Sequence, residues 1–136
     1  MNKSFIGKCK KTGKWIVSDN ILYDNVNKDY YLPYNMFEKE KVRMVTKRSD
    51  LDKYKVIKES IGESVCKDID GATIFTNDIV SICYYEKNNP SIKLQITAKV
   101  DYDKQANIFY MKADKKIFLF AGDSYHYISS IKRIGR

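Results

Sequence analysis

Five apolar residues at every second position, Ile92, Leu94, Ile96, Ala98 and Val100 in SIKLQITAKVDYD, constrain this chain more than any other feature. A period of two gathers all five on one face of an extended strand and sends Lys93, Gln95, Thr97 and Lys99 to the other. No segment holds apolar residues at helical spacing for three full turns, so helix content is expected to be low. Aromatic usage agrees, with eleven Tyr, six Phe and one Trp against only six Gly and two Pro. Tyrosine suits a half-buried sheet because its ring packs while its hydroxyl reaches water.

Other short strands stand on either side. KKTGK puts a turn glycine between FIGKC and WIVS, and DNVNKD separates NILY from YYLP. In the middle of the chain KVRMV reads as a strand and SDLDKY as the start of a short helix capped by Ser49. TIFTNDIVSICYYE then reads as one strand covered on both sides, and NNP separates it from SIKLQITAKVDYD. DKQAN turns the chain into IFYMKA, DKKIFLFA follows, and ISSIKRI closes. The expectation is a mainly β protein: a small β-barrel of SH3 or OB size over residues 61–136, with additional hairpins over residues 1–60, in one domain of 136 residues.

The stretch KDIDGATIFTNDIVSICYY raises a choice between a ligand loop and a turn. Asp68 and Asp70 have the spacing that opens a calcium loop, but Ile74 and Phe75 fall where oxygen ligands should continue, and Ile79 stands where a bidentate acid belongs. An aspartate-glycine turn accounts for the residues better, with Gly71 taking a positive φ. Asp78, at the start of a strand, is then expected to accept backbone N–H groups from the turn before it and to act as scaffold.

IGESVCKDIDGATIFTNDIVSI resembles the signature of the YopX-like family of phage and prophage proteins. Ile61-Gly62, Lys67-Asp68, Gly71, Ile74-Phe75 and Asp78-Ile79-Val80 match in order; Glu63 replaces the usual glutamine and Asn77 a glycine. KKTGKWI and IKRIG are similar to the opening hairpin and closing strand of that family. The resemblance implies a mostly β protein with a small barrel, encoded by temperate phages. It implies no catalytic residue and no cofactor, and it makes Gly62, Asp68, Gly71, Phe75 and Asp78 structural.

Enzymatic readings find little footing. His126 is the one histidine, so any His-based triad must be built on it. Cys9, Cys66 and Cys83 lie far apart, which indicates neither a disulfide framework nor a metal site. A reduced compartment is implied, the bacterial host cytoplasm if the resemblance is followed. Neither GxGxxG nor GxxxxGK[ST] occurs, and no apolar run reaches the length of a membrane span.

Charge carries more. Of the net +8, residues 1–58 hold 14 Lys/Arg against 7 Asp/Glu, whereas residues 59–136 hold 11 against 10. Lys8, Lys10, Lys11 and Lys14 form one cluster, and Lys39, Lys41, Arg43, Lys47 and Arg48 a second, with Tyr30, Tyr31 and Tyr34 between them. The leading expectation is a non-catalytic accessory protein that binds a host or phage protein, or itself, through Tyr30, Tyr31 and Tyr34. The alternative is a small β-barrel that binds DNA or RNA through the basic N-terminal section.

Overall fold

The structure, a computed structural model, describes residues 3–37 and 51–136. The described residues are 57% strand and 6% helix, in three antiparallel sheets. The chain divides into two compact units, Met1–Ser64 and Val65–Arg136.

In the first unit, β1 (Phe5–Lys8) and β2 (Trp15–Ser18) form the hairpin that KKTGK predicts, and Gly13 takes a φ of +72° in its turn. β3 (Leu22–Asp24) and β4 (Asp29–Tyr31) form the second hairpin, and β5 (Lys55–Val56) adds to its edge. The Asp24 carboxylate builds that turn by accepting the N–H groups of Val26 and Asn27. The expected short helix is a single 3-10 turn over Asp52–Tyr54 with no side-chain cap, followed by another over Lys58–Ser60. The expected strand KVRMV and the cap residue Ser49 lie outside the described residues.

Cys9, Ile16, Leu32, Tyr54 and Val56 make the core of this unit. Gly7 is required there: a Cβ on it would meet Val56 Cβ at 3.0 Å and Leu32 Cδ1 at 3.1 Å. β6 (Gly62–Lys67) begins in this unit, where Gly62 pairs with Ile6 and Glu63 with Phe5.

In the second unit TIFTNDIVSICYYE forms two strands, not one: β7 (Thr73–Phe75) and β8 (Ile79–Glu86). Asn77 breaks the run with a φ of +75°, a conformation asparagine tolerates better than most residues. Along β8, Val80, Ile82 and Tyr84 are buried and their neighbours only partly so, which makes one face fully covered and the other half-covered.

β9 (Asn89–Asp103), β10 (Ile108–Ala113), β11 (Lys116–Leu119) and β12 (His126–Gly135) complete an antiparallel sheet in the order β11-β10-β9-β8-β12. The turn after β8 is Lys87–Asn88, so Asn89 and Pro90 open β9 and do not precede it. The period-two face of β9 is confirmed in Ala98 and Val100, which are buried. Ile92, beyond the register shift near Glu86, is 49% exposed. The pairing with β10 runs only from Lys99 to Asp103, so the earlier part of β9 has no β10 partner along that edge.

The expected barrel is not closed, because β11 and β12 form no ladder with one another. The sheet coils far enough that Phe118 of β11 meets Tyr84 of β8 at 4.8 Å and His126 of β12 at 4.4 Å between ring centroids. Aromatic rings therefore fill the interval that backbone pairing would have to close. Around them Ile74, Val80, Ile82, Val100, Met111 and Phe118 form the core.

Candidate functional site

The motif that prompted the choice between ligand loop and turn is a turn. Gly71 has a φ of +84°. Asp68 Oδ1 accepts the N–H groups of Asp70 and Ala72, both at 2.9 Å, and Oδ2 accepts the N–H of Arg133 on β12 at 2.9 Å. The Arg133 N–H, against the cost of burial and with help from Ala72 and Asp70, holds the Asp68 carboxyl below its usual range.

Asp78 is 2% exposed, and its Oδ2 accepts the N–H of Phe75 at 2.9 Å. This is the turn bond expected from the sequence. Its other oxygen meets Arg136 Nε at 3.2 Å, a partner the sequence does not suggest, and the Arg136 guanidinium lies 5.5 Å from the Phe75 ring centroid. Burial pushes the Asp78 carboxyl up despite the Phe75 N–H and the two nearby arginines, Arg136 and Arg133. Gly62 and Phe75 are buried in their strands. All five motif residues thus sit within the folded framework.

The N-terminal candidates are divided. Lys8, Lys10, Lys11 and Lys14 are exposed, but Lys10 Nζ lies 3.6 Å from Asp29, which also takes Lys55 at 3.4 Å. Lys39, Lys41, Arg43, Lys47 and Arg48 lie outside the described residues. The tyrosine patch is not presented as expected: Tyr31 is buried, and Tyr30 and Tyr34 are partly buried. The reason is the strand period, which turns Tyr30 and Tyr31 to opposite faces of β4. Tyr30 stacks against Tyr23 at 4.7 Å.

The groove that the sequence did not reveal lies in the second unit, beside the unclosed side of the sheet. It has a volume of about 900 Å³ and is lined by the end of β8 and its turn (Glu86, Lys87, Asn88), by Lys115, Lys116 and Ile117, and by Ser124, Tyr125 and His126. Tyr125 is 75% exposed and Ile117 is 55% exposed. Lys87 Nζ stands 4.6 Å from the ring centroid of Tyr127, and Lys116 Nζ lies 3.7 Å from Glu86 and 3.5 Å from the Tyr84 hydroxyl.

Asp123, which does not itself line this groove, holds in place the wall formed by Ser124, Tyr125 and His126. Its Oδ1 accepts the N–H groups of Tyr125 at 2.8 Å and His126 at 2.9 Å, and its carboxylate meets His126 Nδ1 at 3.0 Å. Burial opposes charge on Asp123, but the His126 ring and these N–H groups hold its carboxyl below the usual range. Gly122, with a φ of +86°, donates to Leu119 O and lets the loop turn back toward β12.

His126 is thus tied to Asp123 and packed between Phe118 and Tyr84, which fits the partly buried strand residue expected of it. Burial, with Asp68 nearby, pushes the Cys66 thiol up, away from a reactive thiolate. Comparison with protein-family models, with curated proteins and with solved structures gave no match. No helix among the described residues is long and apolar enough to cross a membrane.

Proposed function

We propose that this chain is a non-catalytic accessory protein of phage or prophage type and that it works by binding a single-stranded nucleic acid. The observation that carries the reading is the convergence on one groove of Lys87 and Lys115 with the exposed ring of Tyr125, beside Lys116, which is paired with Glu86. Cations neutralise a phosphate backbone, and an exposed aromatic face stacks an unpaired base; together they hold single strands with little sequence preference. The phage setting rests on the resemblance carried by Ile61-Gly62, Lys67-Asp68, Gly71, Ile74-Phe75 and Asp78-Ile79-Val80. The non-catalytic reading is supported by Cys66, whose thiol is disfavoured as a thiolate, and by the packing of the His126 ring between Phe118 and Tyr84.

A protein partner, or self-association, was the leading expectation from the sequence; of its three tyrosines Tyr31 is buried and Tyr30 and Tyr34 are partly buried, so the exposed ring of Tyr125 favours the groove. The test is fluorescence anisotropy of labelled single- and double-stranded oligonucleotides across a salt series. Binding of the single strand should weaken steeply with salt, and Lys87→Ala with Lys115→Ala should flatten the log–log salt slope by about 2. Tyr125→Ala should weaken binding by about 1–3 kcal/mol. No binding at low salt would reject the reading. A partner that tolerates salt yet depends on Tyr125 would return the choice to a protein.

A further inference from the structure

We infer that the open edge of β9 is a docking site for an extended peptide of another protein, which adds to the sheet as a further strand. Such a peptide carries acidic residues on its outer face and apolar residues on its inner face. β9 runs from Asn89 to Asp103 beside β8, but β10 pairs with it only from Lys99 to Asp103. β10 stops there because the chain reverses: Ala113 pairs with Lys116 of β11, and Asp114 takes a φ of +51° in the turn between them. Among the described residues no other strand lies along residues 94–98 on that edge.

Val100 fixes which backbone groups face the open side. Its N–H donates to Asp78 O at 2.9 Å and its carbonyl accepts the Asn77 N–H at 2.8 Å, so both point to the side of β8. Strand residues alternate, so Ala98 and Ile96 also bond toward β8, and Gln95 and Thr97 send N–H and C=O the other way. Lys99 and Asp101 continue the same series, and these are the residues that β10 takes up, opposite Lys112 and Tyr110. Gln95 and Thr97 therefore offer ladder groups that an added strand completes.

The side chains specify what that strand carries. Lys93, Gln95, Thr97 and Lys99 are exposed on the outer face, and Lys99 stands directly opposite Lys112. Like charges so placed repel, and among the described residues no carboxylate pairs with Lys93, Lys99 or Lys112. The acids further along β9 are engaged locally, Asp101 by the Tyr110 hydroxyl and Asp103 by the N–H groups of Gln105 and Ala106. An acid opposite Gln95 or Thr97 on an added strand lies diagonal to Lys93 or Lys99. On the inner face Leu94 and Ile96 are partly buried against the core and Ile92 is 49% exposed, so apolar residues there extend a surface already begun. A second copy of this chain suits the edge less well, because antiparallel pairing of two such edges sets Lys93 against Lys93 or Lys99 of the copy. None of these residues lines the groove, so this site stands apart from the nucleic-acid reading.

The experiment follows amide hydrogen exchange by NMR in the full chain, with and without a peptide of about seven residues that alternates glutamate and valine. Alone, the chain should exchange the N–H groups of Gln95 and Thr97 quickly and those of Ile96 and Ala98 slowly. With the peptide at about ten times its Kd, exchange at Gln95 and Thr97 should slow by about tenfold. A peptide with lysine in place of glutamate should bind at least about tenfold more weakly. Lys93→Glu with Lys99→Glu alters exposed side chains only and should reverse that preference at an unchanged melting temperature.

Protection of Gln95 and Thr97 in the chain alone would mean that the edge is already filled, by a second copy if the protection rises with protein concentration, and would reject the inference. It is rejected equally if the glutamate peptide does not bind, if it binds without slowing those two N–H groups, or if the charge-reversed variant keeps the original preference.

Discussion

Between β6 and β8 the polar side chains turn inward: Asp68 and Asp78 accept N–H groups from Asp70, Ala72, Arg133 and Phe75, and Asp78 meets Arg136. Around the groove the polar ends of Lys87 and Lys115 and the ring of Tyr125 project from exposed residues. The two stretches belong to one unit and are both rich in turn residues and charge. What separates scaffold from site is where each charge finds its partner, not which residues occur. An acid that completes the hydrogen bonding of a turn has little left to offer a ligand.

The widest difference between the two regions should come from Asp78→Ala. It leaves the Phe75 N–H without its acceptor and Arg136 without its carboxylate, in a place where Asp78 is 2% exposed. Losing one partner of a buried pair is costly because the other stays behind, so a loss of about 3 kcal/mol is expected. Urea unfolding would measure it. A loss below about 0.5 kcal/mol, the range of ordinary surface changes, would remove the distinction drawn between the regions. Asp78→Asn, which keeps an oxygen for Phe75, should lose less.

A smaller effect tests Asp68 through pH. Its carboxyl is held low in the folded state, so its contribution to stability is complete above the unfolded value, near about 4. That contribution is lost as pH falls through the folded value. Asp68→Asn cannot titrate, and its amide would face the N–H of Arg133. Wild type should therefore be the more stable at neutral pH, and the gap should narrow steadily in acid. Asp78 runs the other way: its raised carboxyl means that stability from this group falls as pH climbs from the ordinary carboxylate range to the raised value. A gap between wild type and Asp68→Asn that does not depend on pH would show that the Asp68 charge contributes nothing.

The same contrast explains what could be read from the chain. Turn chemistry is local, so the β1–β2 and β3–β4 hairpins and the Gly71 turn were legible, as was the bond that Asp78 accepts from the turn before it. Arg136 was not, because it is brought to Asp78 by the pairing of β12 with β8 across most of the second unit. Period two marked the inner face of β9 at Ala98 and Val100 but could not say that β10 pairs with only the last part of the strand. Nor could it say whether the sheet closes, which depends on a ladder between β11 and β12 that does not form.

The groove draws on three separate segments, near Glu86, Lys116 and Tyr125, none of which has a motif. Its local traces were the aromatic run SYHYI and the lysine pair in DKK. Tyr30 and Tyr31 failed as a joint patch for a simple reason: adjacent strand residues face opposite ways.

The smallest expected effect is the sharpest check on the comparison. Lys115 and Tyr125 lie on the rim of the groove, and Tyr125 keeps 75% of its surface in water. The bond that holds the loop at this point comes from the Tyr125 backbone N–H to Asp123, and alanine retains that N–H. Lys115→Ala and Tyr125→Ala should therefore change stability by less than about 0.5 kcal/mol, as surface substitutions do. A residue kept for packing must lower the melting temperature when it is truncated, whatever it does to binding. If Tyr125→Ala melted early, its ring would belong to the framework with Asp78, and any loss of binding would follow from a displaced loop. If it melts with wild type while single-strand affinity falls, the exposed ring is a binding surface and nothing in the fold depends on it.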